Sequence, residues 1–584
     1  MDPITTHVVP DDIERIEVIK GPYTVRYGAT FGGIVNLVTQ PPNQMDKGLH
    51  GSVNTGYESN GNSLVSSVKI DHVTDQFNIM GSLGYRDFGN YEDGDGTTIP
   101  SAFKSIDYGV RLGYTISDTQ RIQAHWRQSF GRDVLHAGLP MDTDEDNSSI
   151  LSLDYKATQR TSFVKEINAK GYFSYVDHVM ANTNRPSFMM TEALSAIEAS
   201  TLGGKLELKM QPLNKVTVYS GIDALLIARD GGRNRLVKRN MMGALLPEPI
   251  LFQDKIWQDA YVNDFGAFTE STLALSNKTS FTAGLRYDLL VSESKDPEAD
   301  FEVLYTNLGQ RKEHNVSTTI SIKQVVAENA TLEFAFGRGV RSANMIERYI
   351  NHFSVGQDPF EYVGNPNLNA EVNNQFELGF KGRNYFEKGI NALRYSISGY
   401  YAFYENYIVA AVDPSLTRKF MPTAQPQEVK RFINLDSAYK TGFEAEATVD
   451  FTNNFDFTTA FSYVYTRNKD LNESLPLTPP FTTRFALNYE KDAVWGSITY
   501  TITAKQDEIA LSFAEQETNG YETLDLRFGF KPRNKVTLGF AVLNVLNETY
   551  NNHLNFSFAN QADFTRVPIN DPGRNISAFL QYTF

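Results

Sequence analysis

From about Leu49 to its last residue, the chain repeatedly alternates apolar and polar residues with a period of two. Clear examples are the segments 443–451 (FEAEATVDF), 524–530 (LDLRFGF) and 536–542 (VTLGFAV). Side chains on a β-strand point to opposite faces in turn, so each segment has one apolar face and one wet face. Charged residues recur in the middle of the wet faces. Charges at these positions suit a barrel whose wet faces line a water-filled lumen. In a soluble β-sandwich, the apolar faces would pack together as the core.

Composition agrees with a barrel in a membrane. Aromatic residues make up 12% of the 584-residue chain, with 30 Tyr and 39 Phe. The mean hydropathy is nevertheless −0.35, and no uncharged apolar run approaches the roughly 18 residues of a spanning helix. Because lipid-facing and lumen-facing residues alternate, a transmembrane β-barrel combines these properties. A large soluble β-protein can have the same composition. The charged residues on the wet faces, and not the composition, therefore favour the transmembrane barrel.

Charge and cysteine content exclude several classes of function. The formal net charge of −15 leaves no basic stripe to neutralise phosphates, so a nucleic-acid partner is not expected. The chain has no Cys, which excludes disulfides, iron–sulfur clusters and thiol chemistry within it. It also lacks a G-x-S-x-G, an H-E-x-x-H and a P-loop string, so we predict no enzyme activity.

The alternating region is long enough for a very large barrel. About 540 residues follow Gln44, enough for roughly 20–24 strands with their connections, and no linker or composition shift divides them. We therefore predict an all-β fold in which residues 46–584 form one large antiparallel transmembrane β-barrel of about 22 strands. The polar stretches 142–149, 230–239 and 292–300 are interpreted as long loops on one side, with short turns on the other.

The last strand carries a signal of its own. An apolar face continues to the final residue, Phe584, and Phe579 on the opposite face is the exception to the pattern. The apolar face consists of Ile576, Ala578, Leu580, Tyr582 and Phe584. A closing strand that ends on Phe resembles the C-terminal assembly signal of bacterial outer-membrane barrels. A buried terminal strand of a soluble domain is the alternative, and alternation to the last residue favours the barrel.

The opening of the chain holds the most specific motif. Residues 13–22 (IERIEVIKGP), Tyr27-Gly28 and residues 32–39 (GGIVNLVT) describe a strand, a tight turn and a second strand. This string resembles the end of the plug domain of TonB-dependent receptors. Further resemblances to that family follow in order along the barrel: RSAN at 341–344, GNPNL at 364–368, KTGFE at 440–444, LNVLN at 543–547, and Gly573-Arg574. Two positions depart from the family pattern, since Lys440 stands where Tyr is usual and Leu546 where Phe is usual.

The resemblance implies a location and a mode of action. The family lies in the outer membrane of Gram-negative bacteria, contacts lipid, and imports scarce nutrients when the TonB complex pulls on the plug. Residues 1–45 would then be the C-terminal part of the plug inside the lumen, held by polar contacts. We expect Glu14 or Arg15 to lie near lumen charges such as Glu444 or Glu446. The family's signal peptide, TonB box and remaining plug precede this region, so we expect the reading frame to continue upstream of Met1.

A local resemblance concerns the cargo. Met1, directly before Asp-Pro, and the sequence DHVM at 177–180 are similar to the copper receptor branch of the family. In that branch a Met of the plug and a His and a Met of the barrel are metal ligands. The resemblance therefore implies a metal site formed by Met1, His178 and Met180. The copper ion would be the transported substrate, and no resident cofactor is predicted.

The strand pattern supports this site independently. In the segment 172–180, Phe173, Tyr175 and Val179 share one face, while His178 and Met180 share the other. If the aromatic face meets lipid, the imidazole and the thioether project together into the lumen, and both suit the soft ion Cu(I). The alternative is an incidental lumen His beside a gap-filling Met.

Other interpretations remain open. His136 and Met141, like Met189-Met190, are soft ligands nearby in sequence, but loop or core roles are the simpler reading. The acidic residues at 142–146 do not meet the spacing of an EF-hand and are read as a solvated loop. For the cargo, ferric siderophores or other metal chelates are the alternative to copper. A passive pore with a shortened plug and a surface receptor that only binds are the alternative functions.

Overall fold

The structure is a computed structural model, and it describes residues 13–28, 33–39, 46–240, 242–355, 358–420, 425–451, 454–555, 558–559 and 566–584. The first strands, numbered in chain order, are β1 (Ile13–Lys20), β2 (Gly33–Thr39), β3 (Gly48–Glu58), β4 (Ser63–Val73), β5 (Phe77–Phe88), β6 (Tyr91–Glu92), β7 (Thr98–Ile99), β8 (Phe103–Ser117), β9 (Gln120–Val134), β10 (Asp142–Thr158), β11 (Val164–Ala181), β12 (Thr191–Leu213), β13 (Val216–Arg239), β14 (Leu245–Lys255) and β15 (Ala260–Ala274). The others are β16 (Thr279–Ser294), β17 (Arg311–Ala327), β18 (Ala330–Arg341), β19 (Glu361–Val363), β20 (Glu371–Tyr385), β21 (Ala392–Thr417), β22 (Glu428–Asp450), β23 (Phe455–Asn468), β24 (Thr482–Lys491), β25 (Val494–Thr503), β26 (Tyr521–Arg533), β27 (Val536–Leu543), β28 (Phe558–Ala559), β29 (Arg566–Val567) and β30 (Asn575–Thr583).

The strands close into one barrel. Within the described ranges, 22 antiparallel strands follow one another around it in chain order from β3 to β30. The last strand pairs with the first, with Ser52 opposite Thr583. Two shorter strands add to the wall without belonging to this cycle, because β14 pairs only with β13 and β19 pairs in parallel with β22. The prediction of an all-β antiparallel barrel of about 22 strands is confirmed.

The two faces of the strands separate as the alternation predicts. On β26, Leu526, Phe528 and Phe530 lie on the outer surface, with exposed fractions of 37–47%, and Leu524 is half-buried. Asp525 and Arg527 point the other way and form an ion pair of 3.1 Å in the lumen. An apolar outer face with charges inside is the arrangement of a barrel whose outer surface meets lipid.

The connections differ at the two ends of the barrel. Short ones such as 118–119 and 214–215 lie at one end, and long ones such as 182–190 and 504–520 lie at the other, as predicted. Two predicted loops are wrong, however. Residues 142–149 belong to β10 and residues 230–239 to β13.

The reason for this error is that polarity does not preclude pairing. Residues 142–149 pair with β9 on one side and β11 on the other, so Asp146 stands opposite both Gly131 and His178. Strands that extend beyond the hydrocarbon layer can be polar on both faces while their backbone groups stay paired. The third predicted loop, 292–300, begins as the end of β16 and continues into a short helix.

Two short helices lie among the long connections: α1 (Ala299–Leu304) and α2 (Met345–Tyr349). Single 3-10 turns are found at Pro186–Met189 and Leu511–Phe513. Asn344 and Glu347 form a capping box that begins α2. Among the residues that the structure describes, no helix has the length and apolar character needed to cross a membrane.

The family motifs at 341–344 and 364–368 meet at α2. Arg341 pairs with Glu347 at 2.8 Å, and the fully buried Arg348 donates to the Pro366 carbonyl at 2.9 Å. Gly364 lies so close to the Arg348 backbone that an added Cβ would stand 2.5 Å from its carbonyl carbon. The two motifs therefore form one packed unit at the long-connection end.

Phe579, the exception in the closing strand, also has a physical reason. It pairs directly with Gly539 of β27, and its ring covers the space in which a Gly539 side chain would lie. An aromatic ring over a glycine of the neighbouring strand fills the gap in the lumen-facing surface.

Candidate functional site

The hairpin of β1 and β2 contacts the inner wall of the barrel through its turn. Gly21 adopts a φ of 70°, and a Cβ added to it would displace the Glu377 carboxylate. The Pro22 carbonyl accepts a hydrogen bond from the Thr319 hydroxyl. The Val25 N–H donates to the Glu270 carboxylate at 3.1 Å. Polar contacts thus fix the turn against the barrel wall.

Arg26 adds a charged contact to the wall. Its guanidinium donates twice to Glu207, at 3.0 and 2.5 Å, and lies 3.8 Å from the centroid of the Tyr219 ring. Lys205 donates to the Arg26 carbonyl at 2.8 Å. A bidentate pair combined with a cation–π contact gives Arg26 a defined position.

The predicted ionic partners of the hairpin are partly wrong. Glu444 does contact the hairpin, but its partner is Lys20. Arg15 pairs instead with Glu17 at 2.7 Å and with Glu14 at 3.6 Å, both within its own strand. Lys20 ends β1 and can therefore reach the wall, whereas Arg15 is close to acidic neighbours of its own.

Water-accessible space separates the hairpin from part of the wall. A cavity of ≈720 Å³ lies beside Lys20 and Tyr23 and is lined by several carboxylates of the wall. These are Glu333, Glu377, Glu444 and Glu446. Charged side chains around such a space can exchange their ionic contacts for contacts with water, which suits a hairpin that is held but releasable.

Two of the three predicted metal ligands lie near the end of β11. His178 and Met180 are buried, with exposed fractions of 6% and 3%, while Phe173 on the opposite face is 43% exposed. Both side chains thus point inward, as the alternation predicts. Met1 lies outside the described residues.

His178 is held by β10, its neighbour in the barrel. Its Nε2 lies 3.5 Å from the Thr143 hydroxyl, and its Nδ1 lies 3.8 Å from the Asp146 carboxylate. The separation from Asp146 is too long for a hydrogen bond, so this carboxylate acts on the ring through its charge.

The connection from β9 to β10 brings two more soft ligands to this place. The Nε2 of His136 lies 2.9 Å from the same Thr143 hydroxyl. Met141 packs with Met180, and Phe420 belongs to the same cluster. Burial is the main cause that lowers the pKa of His136 to about 3, so its imidazole is neutral, the form that binds metals.

This connection is fixed by hydrogen bonds. The Asp142 carboxylate accepts the His136 N–H at 3.0 Å and also pairs with Arg185. Arg185 donates in addition to the His136 carbonyl at 2.6 Å. The His136 backbone is therefore held from both sides.

Little space remains between the soft side chains. A cavity of ≈20 Å³ is lined by Met141, Met180 and Phe420 together with Arg233 and Glu361, and it has room for about one water molecule. Neither His136 nor His178 is among its lining residues. In the described part of the chain, no three His, Cys, Asp or Glu side chains are grouped to hold a metal. The soft side chains near this place are the imidazoles of His136 and His178 and the thioethers of Met141 and Met180.

Sequence reasoning missed part of this arrangement. Thr143 and Asp146 were assigned to a loop, and His136 and Met141 to loop or core roles. The register of β10 against β11, with Thr143 opposite Met180, is what unites them. Met189 is 63% exposed and lies outside the cluster.

Comparison with protein families gives one long match. The family model for the TonB dependent receptor-like beta-barrel matches residues 36–545. Among sequence relatives, the ferric enterobactin receptor PirA of Pseudomonas aeruginosa is 23% identical over 554 residues, covering 86% of this chain and 69% of the relative. The ferrienterobactin receptor of Escherichia coli is 22% identical over 598 residues, covering 89% and 72%.

Solved structures share the fold. The chain is similar to the copper transporter OprC with a TM-score of 0.85 and 20% identity, covering 100% of this chain and 87% of the other. The FrpB iron transporter from Neisseria meningitidis matches with a TM-score of 0.73 and 15% identity, covering 98% and 88%. At these identities the likeness concerns the fold.

Proposed function

Because the chain belongs to the TonB-dependent receptor family, we propose that it imports copper across the outer membrane. The protein is a TonB-dependent outer-membrane receptor and not an enzyme. Receptors of this family interact with TonB and bind metals or metal chelates. The end of the barrel with the long connections faces the cell exterior in such proteins, so His178 and Met180 lie where an arriving cargo would meet the wall.

One observation carries the copper proposal. His178 and Met180 are buried together on the inner face of β11, and Asp146 lies beside the ring nitrogen that faces away from Thr143. An imidazole and a thioether on one strand are suitable ligands for Cu(I), and a thioether is a poor ligand for hard ions such as Mg²⁺. The similar solved structure named as a copper transporter supports the same cargo.

The sequence relatives favour a second candidate, a ferric siderophore. The relatives include receptors named for ferric enterobactin. A chelate of that kind needs a pocket of several hundred Å³, whereas the space beside Met180 is ≈20 Å³. That space is too small for a chelate, which would need another place in the lumen.

The test is metal content and uptake. Protein purified from copper-supplemented cells is expected to retain about one copper ion per chain, and cells that make it should accumulate copper only when TonB is present. The double variant His178→Ala/Met180→Ala should lose both properties. The matched control is His72→Ala/Met189→Ala, which removes an exposed imidazole and an exposed thioether.

Three outcomes contradict the proposed copper site or cargo. They are a parent protein without copper, a double variant that keeps it, or uptake of iron from a ferric siderophore with no uptake of copper. Copper that binds without accumulating in cells would show a receptor that only binds, and it would overturn import.

A further inference from the structure

We propose that Phe420 is a lid over Met180 and that Glu361 holds this lid closed. Phe420 belongs to the connection between β21 and β22, and Glu361 begins β19 in the connection between β18 and β20. Both connections lie at the same end of the barrel as residues 182–190, which follow β11. The inference rests on the proposed function, since it adds control of access to the same site.

The Phe420 side chain closes the space around Met180. It is 3% exposed and packs in one cluster with Met180 and Met141. Its ring centroid lies 4.8 Å from the Arg233 guanidinium, and Phe353 also lines the cavity between these side chains. The cavity of ≈20 Å³ has room for about one water molecule. A hydrated ion or a chelate therefore cannot reach Met180 through this cavity while Phe420 keeps its position.

The Phe420 backbone is attached to Glu361 by charge-assisted hydrogen bonds. One carboxylate oxygen of Glu361 accepts the Phe420 N–H at 2.7 Å, and the other accepts the Lys419 N–H at 2.8 Å. Arg235 donates to the Lys419 carbonyl at 3.3 Å, and Arg418 donates to the Phe420 carbonyl at 3.2 Å. Two successive N–H groups bound by the two oxygens of one carboxylate give the segment a defined position.

Glu361 has a rigid support of its own. It is 1% exposed, belongs to β19, which pairs with β22, and lies 2.9 Å from Nδ1 of His352. The ion pair of Asp358 and Lys430, which joins the same two segments, is fully buried. Breaking a buried ion pair costs more than breaking hydrogen bonds between a carboxylate and backbone N–H groups. The link between Glu361 and residues 419–420 is therefore the place where the lid can open.

The test is the reactivity of a thiol at position 180. Because the chain has no Cys, Met180→Cys introduces a single reporter, and its alkylation by a maleimide is followed in purified protein without metal. In this reporter chain the thiol should react slowly. Phe420→Ala removes the ring, and Glu361→Gln removes the charge and one of the two acceptors. Each change should speed the alkylation at least about tenfold.

Two matched controls leave the lid intact. Phe252→Ala removes a ring that also lies over a guanidinium but is 44% exposed. Glu192→Gln removes the charge of a carboxylate on β12 whose side chain is 49% exposed. In both controls the Met180→Cys thiol should react as slowly as in the reporter chain.

A second reporter separates a lid from a general loosening of the barrel. Ser292→Cys places a thiol at a fully buried position of β16, at the same end of the barrel. Its alkylation should stay slow in Phe420→Ala and in Glu361→Gln. Equal acceleration at both reporters would overturn the lid, as would fast alkylation in the Met180→Cys chain or no acceleration by Phe420→Ala. Acceleration by Phe420→Ala without any by Glu361→Gln would overturn the role of Glu361.

Copper exchange distinguishes the lid from the proposed function. With Met180 in place, Cu(I) bound to the protein should pass to an external chelator at least about tenfold faster in Phe420→Ala than in the parent. Equal transfer rates would overturn the control of the cargo by Phe420. A parent that binds no Cu(I) would overturn the proposed function, and the alkylation rates would still decide whether Phe420 closes the approach to position 180.

Discussion

At the scale of single residues, Arg26 shows how the hairpin can be held without being permanently fixed. Its side chain contacts the wall through two hydrogen bonds to Glu207 and the face of Tyr219. Ionic contacts can be exchanged for hydration when the hairpin moves. An apolar interface of the same size would resist release, because its surface would have to be exposed to water.

We expect Glu207→Gln to loosen the hairpin. The neutral amide cannot replace the two charge-assisted bonds, and the loss weakens the contact by about 1.5–3 kcal/mol. In planar bilayers, channel openings through the barrel should therefore be at least about tenfold more frequent in the variant than in the parent, since 1.4 kcal/mol corresponds to a factor of ten.

The control is Asp154→Asn. Asp154 is also a carboxylate of the wall, but its partner is Lys170 of β11 at 3.6 Å. Its variant should keep the opening frequency of the parent. Equal frequencies in Glu207→Gln and the parent would show that Arg26 does not retain the hairpin.

At the scale of elements, two sequence motifs act as one unit. The segment 341–344 leads into α2, and Gly364 lies against the backbone of Arg348. Arg348 is fully buried and also pairs with Glu313 of β17 at 2.7 Å. The motif glycine is therefore explained by a close approach between two backbone segments.

Gly364→Ala should disturb this unit. Its Cβ would stand 2.5 Å from the Arg348 carbonyl carbon and 2.6 Å from the Tyr349 nitrogen. These are backbone atoms and must shift, at a cost of about 1–3 kcal/mol. Limited proteolysis of the intact barrel should then cut between residues 342 and 370 faster than in the parent.

Gly171→Ala provides the comparison. This glycine lies on β11, and nothing lies within 4 Å of the Cβ that the substitution would add. Proteolysis of this variant should match the parent. If Gly364→Ala resisted protease equally well, the close packing of the two motifs would have no energetic consequence.

At the scale of the whole molecule, the outer face of the barrel wall is apolar and the lumen face carries charges. Leu526, Phe528 and Phe530 cover part of the outside, while Asp525 and Arg527 lie in the lumen. Closure through β3 and β30 leaves no unpaired edge in the cycle of 22 described strands. Backbone N–H and C=O groups can lie in hydrocarbon only when they are hydrogen-bonded within the protein, as closure of the barrel allows.

Phe528→Arg should destabilise the barrel in lipid vesicles. A charge on the lipid face costs about 2–4 kcal/mol near the bilayer midplane, and the change in the free energy of unfolding can be measured by guanidinium titration. Thr523→Arg, on the lumen face of the same strand, should cost much less. A similar loss in both variants would contradict the assignment of the two faces.

The sequence by itself determined the class of fold and the direction of the key side chains. Period-two alternation with charged wet faces predicts a barrel, because the side chains of a strand alternate whatever its neighbours are. The same local rule directs His178 and Met180 inward. The string at 13–39 predicts two strands joined by a tight turn, and β1 and β2 form this hairpin.

Only the tertiary structure decided which side chains meet. Residues 142–149 look like a loop because they are polar, yet pairing with β9 and β11 makes them a strand. That pairing brings His136, Thr143 and His178 together, and the position of the hairpin in the lumen selects Lys20 as the partner of Glu444. Register and long-range contacts depend on the closure of the whole barrel, so no local pattern contains them.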